Sequence, residues 1–210
     1  MRQIRRTIYS RNIGIYDILL QRSTIKTGRW KGHDRMDLME AILTRKSYRK
    51  TFKPDHVPDT DLKEILEAGA AAPSGCNQQT TCFIAVNDQK TVYNLATIYG
   101  ASWALTAPAA ILLLTKETIS YKGNSYHIHD YSAAAENILL AINAKGYSTT
   151  WVEGQIEGEK AKKMGDLLGV PEDLTVVIYM PLGIPDEVNP GVTKKTFEDR
   201  AWLNGYGKEF

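Results

Sequence analysis

Five cations fall within nine residues, Arg45, Lys46, Arg49, Lys50 and Lys53, around the hydroxyl of Ser47. Arginine matches a phosphate with forked, charge-assisted hydrogen bonds, and a serine hydroxyl adds one more donor. Taken alone, the stretch reads more plainly as a solvated basic loop whose cations complement the C-terminus of a preceding helix. A second group is Pro73-Ser74-Gly75-Cys76-Asn77-Gln78-Gln79. By itself it is a helix stop followed by a polar turn. Asn and Gln also carry donor and acceptor on one amide, which suits the polar edge of a buried heterocyclic ring.

Other reactive residue types have plainer readings. His127 and His129 alternate as strand or turn residues do, with no third ligand nearby, so no zinc site is expected. Cys76 and Cys82 match neither a zinc knuckle nor a thioredoxin-like pair, and Cys76 is expected to be a small apolar filler. Glu136, Glu157 and Glu159 are expected to be surface or cap residues rather than general acids. Tyr121, Tyr126 and Tyr131 are candidate walls of a substrate pocket.

The elements that must position these groups alternate between helices and strands. A helix over Asp37–Thr44 puts Leu38, Ile42 and Leu43 on one face. After Pro54 and Pro58 a second helix starts near Asp59 or Thr60, both good caps, and stops before Pro73. Cys82–Val86 reads as a buried strand, 90–99 as a helix and 109–115 as another strand, with 116–127 a polar loop. The longest helix, from about Asp130 to Lys145, ends at Gly146, and its alanines allow close packing on several sides. A strand at 148–152, a helix at 159–168 ended by Gly169, and a strand at 174–182 follow. The charged and aromatic tail, Pro185–Phe210, is expected to lie as an extended arm.

Bulk properties narrow the function classes. Of 210 residues 43% are apolar, and no run of eighteen apolar residues occurs, so one soluble domain without a membrane span is expected. Two cysteines build no disulfide framework, and a reducing cytoplasmic setting is the default. Residues 1–35 carry nine Lys/Arg against Asp17 and Asp34, whereas the remainder is acidic, with 17 bases and 22 acids. Bulk charge therefore gives no case for a nucleic-acid partner. Residues 1–35 read either as a peripheral basic arm or as an extension not needed for the fold, with Met36 standing just before the first patterned helix; a targeting peptide is the poorer alternative. No Gly-x-Gly-x-x-Gly follows a strand, and no Walker-type loop is present.

In this order the pieces resemble the nitroreductase-like family of flavoproteins. Arg45-Lys46-Ser47-Tyr48-Arg49 is similar to the family's Arg-basic-Ser-x-Arg signature, and Pro73-Ser74-Gly75-Cys76-Asn77-Gln78-Gln79 to its Pro-Ser-x-x-Asn-x-Gln turn. The alanine-rich helix resembles the long central helix of these dimers. Trp151-Val152-Glu153-Gly154 stands where the family has a strand-end turn, and Pro181-Leu182-Gly183-Ile184-Pro185 resembles its closing strand. The resemblance covers residues 36 to about 205. It departs at Thr80-Thr81, where Pro-Trp is common, and in the tail, where Lys194-Lys195 replaces a commoner Arg and Pro pattern.

The resemblance implies an α+β fold, a mainly antiparallel central sheet wrapped by helices, with the C-terminal arm exchanged in a homodimer and residues 36–210 forming the FMN-binding domain. It implies that Arg45, Lys46 and Ser47 hold the FMN phosphate and ribityl region together with Lys194 or Lys195. Arg49 would stand near the N1/O2 edge of the ring, where reduction leaves negative charge. Pro73, Ser74, Asn77 and Gln79 would come from the partner subunit, and the Glu153 and Gly154 backbone would approach N5. The implied activity is ping-pong hydride transfer from NADPH or NADH to a small-molecule electron acceptor such as a nitroaromatic or a quinone, with no obligatory side-chain acid. Another FMN reaction on the same fold, dehalogenation or oxidative dehydrogenation, is the nearest alternative. A non-enzymatic binding module using the 45–53 loop is the more distant one.

Overall fold

The computed structural model describes residues 36–210. The expectations for residues 1–35 lie outside the described residues.

Helix α1 covers Leu38–Thr44, with the Asp37 side chain accepting from the Met39 N–H at 2.8 Å as its N-cap. Helix α2 covers Asp59–Ala70. Its N-cap is Pro58, which makes no side-chain cap bond, so neither Asp59 nor Thr60 serves as the cap. Asp59 and Asp61 instead place carboxylates in the first turn, where they complement the helix dipole. Strand β1 (Thr81–Val86), helix α3 (Gln89–Tyr99) and strand β2 (Ala109–Thr115) follow. Then come helix α4 (His127–Ala144), strand β3 (Ser148–Thr149), helix α5 (Glu159–Leu168) and strand β4 (Thr175–Gly183).

The four strands form one antiparallel sheet in the order β1-β2-β4-β3. Every residue of β2 is buried, because the strand is central and covered on both faces. Ile111 and Leu113 point to one face with Ile178, Met180 and Leu182, where they meet Ile65 of α2 and Ile138 and Ile142 of α4. Ala110, Leu112 and Leu114 point to the other, against Leu95 and Tyr99 of α3 and Met164 of α5. Period-2 alternation thus feeds two cores. Close approach of α2 to α4 depends on Gly69, where a Cβ would stand 2.7 Å from Ile138 Cδ1.

Several sequence expectations are corrected. β1 is an edge strand, only partly buried, and Cys82 on it is exposed. Cys76 is also exposed, so it is not an apolar filler. α4 begins at His127, which makes His127 and His129 helical rather than strand residues. The strand expected at 148–152 shrinks to two residues plus an isolated bridge from Val152 to Tyr179. The 116–127 loop contains a short 3-10 turn at Tyr121–Gly123. The tail beyond Ile184 forms no further helix or strand, but over residues 197–210 it turns back on itself rather than running extended, with the Phe197 and Phe210 ring centroids 5.1 Å apart and the Leu203 N–H donating to Lys208 C=O at 3.0 Å.

Candidate functional site

The basic loop is held by the residues between its cations. Tyr48, only 1% exposed, packs against buried Phe52 in a tilted arrangement with ring centroids 5.1 Å apart. Its hydroxyl donates to Thr51 C=O at 2.6 Å and accepts from the N–H groups of Asp186 and Glu187, each at 3.1 Å. The Tyr48 N–H donates to Thr149 C=O at 2.8 Å, and the Lys53 N–H to Ile184 C=O at 2.9 Å. Ser47, Arg49 and Lys53 stay at the surface while Tyr48 and Phe52 anchor inwards. The loop is therefore tied to two other segments, the strand after α4 and the start of the tail.

Between these segments lies a cleft of about 410 Å³ lined by Arg45, Lys46, Lys53, Tyr147, Ser148, Thr149 and residues 185–189, with Leu139, Ile142 and Asn143 of α4. Arg45 is the C-cap residue of α1, and its guanidinium stands 3.7 Å from Glu136, a long ion pair. Lys46 Nζ meets the backbone C=O of Asn189 at 3.3 Å rather than a carboxylate. Asn189 Nδ2 donates to Ser47 C=O at 2.9 Å. Glu187 is bound instead to Lys50 (3.1 Å) and Thr51 (3.1 Å), and those hydrogen bonds hold its carboxyl below the usual range. Arg45 and Lys46 thus face the cleft, the first with a long ion pair to Glu136 and the second on a backbone carbonyl.

Arg49 is exposed and does not line this cleft. It lies near Tyr99, whose phenol is raised by burial while the Arg49 charge opposes that shift. Tyr99 in turn donates to Gln155 Oε1 at 2.7 Å, which places Arg49 on the side of the turn after Glu153. That turn closes by the Ile156 N–H donating to Glu153 C=O at 2.8 Å. Both Glu153 carboxylate oxygens are engaged, Oε1 by the Tyr131 hydroxyl at 2.5 Å and Oε2 by the Trp151 indole at 2.8 Å. Gly154 is exposed.

The Pro73–Gln79 segment is a 3-10 turn over Gly75–Asn77, with Cys76, Asn77 and Gln79 all at positive φ. Buried Asp130 holds it, accepting from the Gly75 N–H at 2.7 Å and from Thr80 Oγ1 at 2.9 Å. Ser74 Oγ accepts from the Gln79 N–H at 3.0 Å. Pro73, Cys76, Asn77, Gln78 and Gln79 are exposed, and none lines the cleft. Asp130 sits at the start of α4, while Asn143, near its end, donates to Ala41 C=O and Thr44 Oγ1 beside the basic loop. Thirteen residues of helix at 1.5 Å each separate the two by about 20 Å.

The chain thus brings Arg45, Lys46 and Ser47 together with β3 and the tail, and it places Glu153 and Gly154 at the far end of the segment that leaves β3. Lys194 and Lys195 are exposed and do not line the cleft. Of the three tyrosines proposed as pocket walls none lines this cleft: Tyr121 is exposed, Tyr126 packs against Gly75, and Tyr131 is buried on Glu153. Sequence reasoning missed the anchoring roles of Tyr48, Asp130 and Asn189. Tyr48 is signalled by its place among surface cations, where an aromatic needs a reason to be buried. Asp130 and Asn189 carry no local signal. Among the described residues no helix is long and apolar enough to cross a membrane, and no group of three metal-ligating side chains is assembled.

The sequence description of the Nitroreductase family matches residues 42–117. A protein of Archaeoglobus fulgidus, provisionally named NADH dehydrogenase/NAD(P)H nitroreductase, is 32% identical over 72% of this chain and 87% of its own. A crystal structure of a protein with the same provisional name from Parabacteroides distasonis superposes with a TM-score of 0.68 at 26% identity, covering 80% of this chain and 98% of that one. The NADPH:FMN oxidoreductase of Vibrio harveyi, solved with NAD+, superposes with a TM-score of 0.66 at 25% identity over 80% of this chain and 77% of that one. Matching sequence, matching fold and a cation-lined cleft beside the central helix converge, and the chain belongs to the nitroreductase family of oxidoreductases.

Proposed function

We propose that this chain is an FMN-dependent NAD(P)H oxidoreductase that works as a homodimer on small aromatic or quinonoid electron acceptors in a reducing, cytoplasmic setting. The observation that carries the proposal is the cleft of about 410 Å³ in which Arg45, weakly paired with Glu136 at 3.7 Å, converges with Lys46, whose Nζ meets a backbone carbonyl. Cations left in that state favour an anionic group, and forked donors favour a phosphate.

The donor set fits FMN. Arg45 and Lys46, with exposed Ser47 beside the cleft rather than in its lining, would hold the phosphate end, over an apolar floor of Leu139 and Ile142. The segment from Ser148 to Gly154 leads away from that end, and six residues of near-extended chain span about 20 Å. Its last turn uses the Glu153 carbonyl internally and leaves the Gly154 and Gln155 amides outside that bond, as donors for the ring. FMN, when bound, would supply hydride transfer between a reduced nicotinamide and the acceptor. The protein supplies position and charge: Arg49 offsets negative charge on the ring edge, and the exposed turn side chains at Asn77 and Gln79 pair the polar edge of a partner's ring. Lys194 and Lys195, exposed on the tail, would join the phosphate site once the arm crosses to a second copy.

A homodimer is supported by apolar surface that one chain leaves open. Leu38 and Leu43 of α1 are 65% and 76% exposed, and Val188, Val192, Phe197 and Phe210 of the tail are exposed too. Anaerobic titration of the purified protein with NADPH or NADH tests the activity. Flavin absorbance that bleaches and returns on adding a quinone is the expected result; protein that takes up no FMN refutes the proposal.

A further inference from the structure

The Glu153 side chain does more than its proposed backbone role requires. Trp151 and Glu153 lie two residues apart on an extended segment, so their side chains share one face. Between them buried Val152 is fixed to Tyr179 in both directions, N–H to C=O at 3.1 Å and C=O to N–H at 2.9 Å. Tyr131, rooted in α4 and buried, reaches the same carboxylate from the core. The indole N–H is a donor only, so Glu153 Oε2 must accept. Burial, and then the hydrogen bond to Glu153 with the charges of Glu153 and Glu157, push the Tyr131 phenol well above its ordinary range, so it stays protonated and donates to Oε1. With both oxygens accepting, the Glu153 side chain is fixed in place by two donors. Glu157 adds a second carboxylate, its Oε1 3.9 Å from where a Cβ on Gly154 would stand.

Resting on the FMN reading above, we propose that Tyr131 and Trp151 are positioning residues that clamp the Glu153 carboxylate beside the flavin-facing turn, where its fixed negative charge disfavours the reduced ring and keeps the enzyme a strong reductant. The physical basis is that reduction adds negative charge to the ring system, and a nearby anion in a partly water-excluded site opposes it. A clamped carboxylate acts at constant distance, whereas a free one swings into water and is screened. The same clamp fixes the direction of the Gly154 and Gln155 amides.

The experiment measures the midpoint potential of the FMN-loaded protein by dye equilibration, for wild type, Glu153→Gln, Tyr131→Phe, Trp151→Phe and the Tyr131→Phe/Glu153→Gln pair. Glu153→Gln is expected to favour reduced over oxidised FMN about tenfold, equivalent to about 30 mV more positive for a two-electron couple. Tyr131→Phe and Trp151→Phe are expected to move it the same way by less, and Tyr131→Phe to add nothing in the Glu153→Gln background. Thermal midpoints measured in parallel separate this from a structural role, which lowers stability without moving the potential. Wild type that binds FMN with all variants at its potential, or moved negative, overturns the clamp alone. Wild type that binds no FMN overturns the cofactor reading first.

Discussion

Replacing Asp130 by Ala should expose how the Pro73–Gln79 turn is maintained. Asp130 is 4% exposed and accepts two hydrogen bonds, at 2.7 and 2.9 Å. Bonds to a charged acceptor contribute about 1.5–3 kcal/mol each, and the substitution leaves the Gly75 N–H and the Thr80 hydroxyl unpaired. Removing a carboxylate that is costly to desolvate offsets part of this loss. A net destabilisation of about 3 kcal/mol follows, or roughly 6–12 °C in thermal midpoint for a domain of this size. Asp130→Asn keeps one acceptor and should lose about half as much. The turn also holds Cys76, Asn77 and Gln79 in the left-handed region at φ 51°, 56° and 50°. That conformation costs about 1–2 kcal/mol per ordinary residue, with Asn tolerating it best. Once its anchor is gone the turn should relax before the domain unfolds. Calorimetry and amide exchange measured together would show both effects: a lowered midpoint, and lost protection confined first to residues 75–80. A midpoint within about 2 °C of wild type with unchanged exchange at those amides would refute the reasoning.

Three further outcomes are expected. Gly183→Ala would place a Cβ 2.5 Å from Pro108 Cδ and 3.2 Å from Phe52 Cδ1, neither able to swing away, so urea unfolding should show a loss of about 2–3 kcal/mol. Lys46→Ala should weaken FMN binding to the apoprotein about tenfold, with a reduced salt dependence, as read by fluorescence titration. The stability that Tyr147 and Lys145 contribute should be full and independent of pH near neutrality and decline as pH climbs past about 10. Burial and then the bond to Asp61 raise the Tyr147 phenol; for Lys145 burial alone would lower the ammonium, but its bonds to Glu64 and Asp61 outweigh that and raise it. A group whose pKa is raised by folding stabilises fully below its unfolded value and stops doing so above the folded one, so Tyr147→Phe should flatten the alkaline limb.

Elements with one dominant local signal were legible in the sequence. The β2 strand and the α5 helix with its Gly169 cap fall where apolar runs, periodicity and a left-handed glycine put them. Local signals misled where tertiary contacts recruit a residue away from its usual role. Asp130 looks like a helix-start residue, yet its carboxylate reaches across to Gly75 and Thr80, and α4 starts a turn earlier. The apolar run from Cys82 resembles a buried strand, but its place at the sheet edge is set by the order of the other strands, which no local pattern encodes. The basic loop was visible as charge. Its rigidity, which comes from Tyr48 bonding Asp186 and Glu187 nearly 140 residues away, was not.

Helix α1 sharpens the argument for a second copy. An isolated helix this short is unstable in water, because nucleation costs more than one or two turns return. Of its seven residues only Ala41 is buried, held by Asn143, while Leu38, Met39, Ile42 and Leu43 face outwards. α1 carries Arg45 at its C-cap, so the geometry of the proposed phosphate site depends on keeping that helix in place. Covering its apolar face with a partner would therefore stabilise the same element that positions the first cation. On this view dimer formation and cofactor affinity are linked, and a chain held dilute enough to remain single should lose FMN as well as its partner.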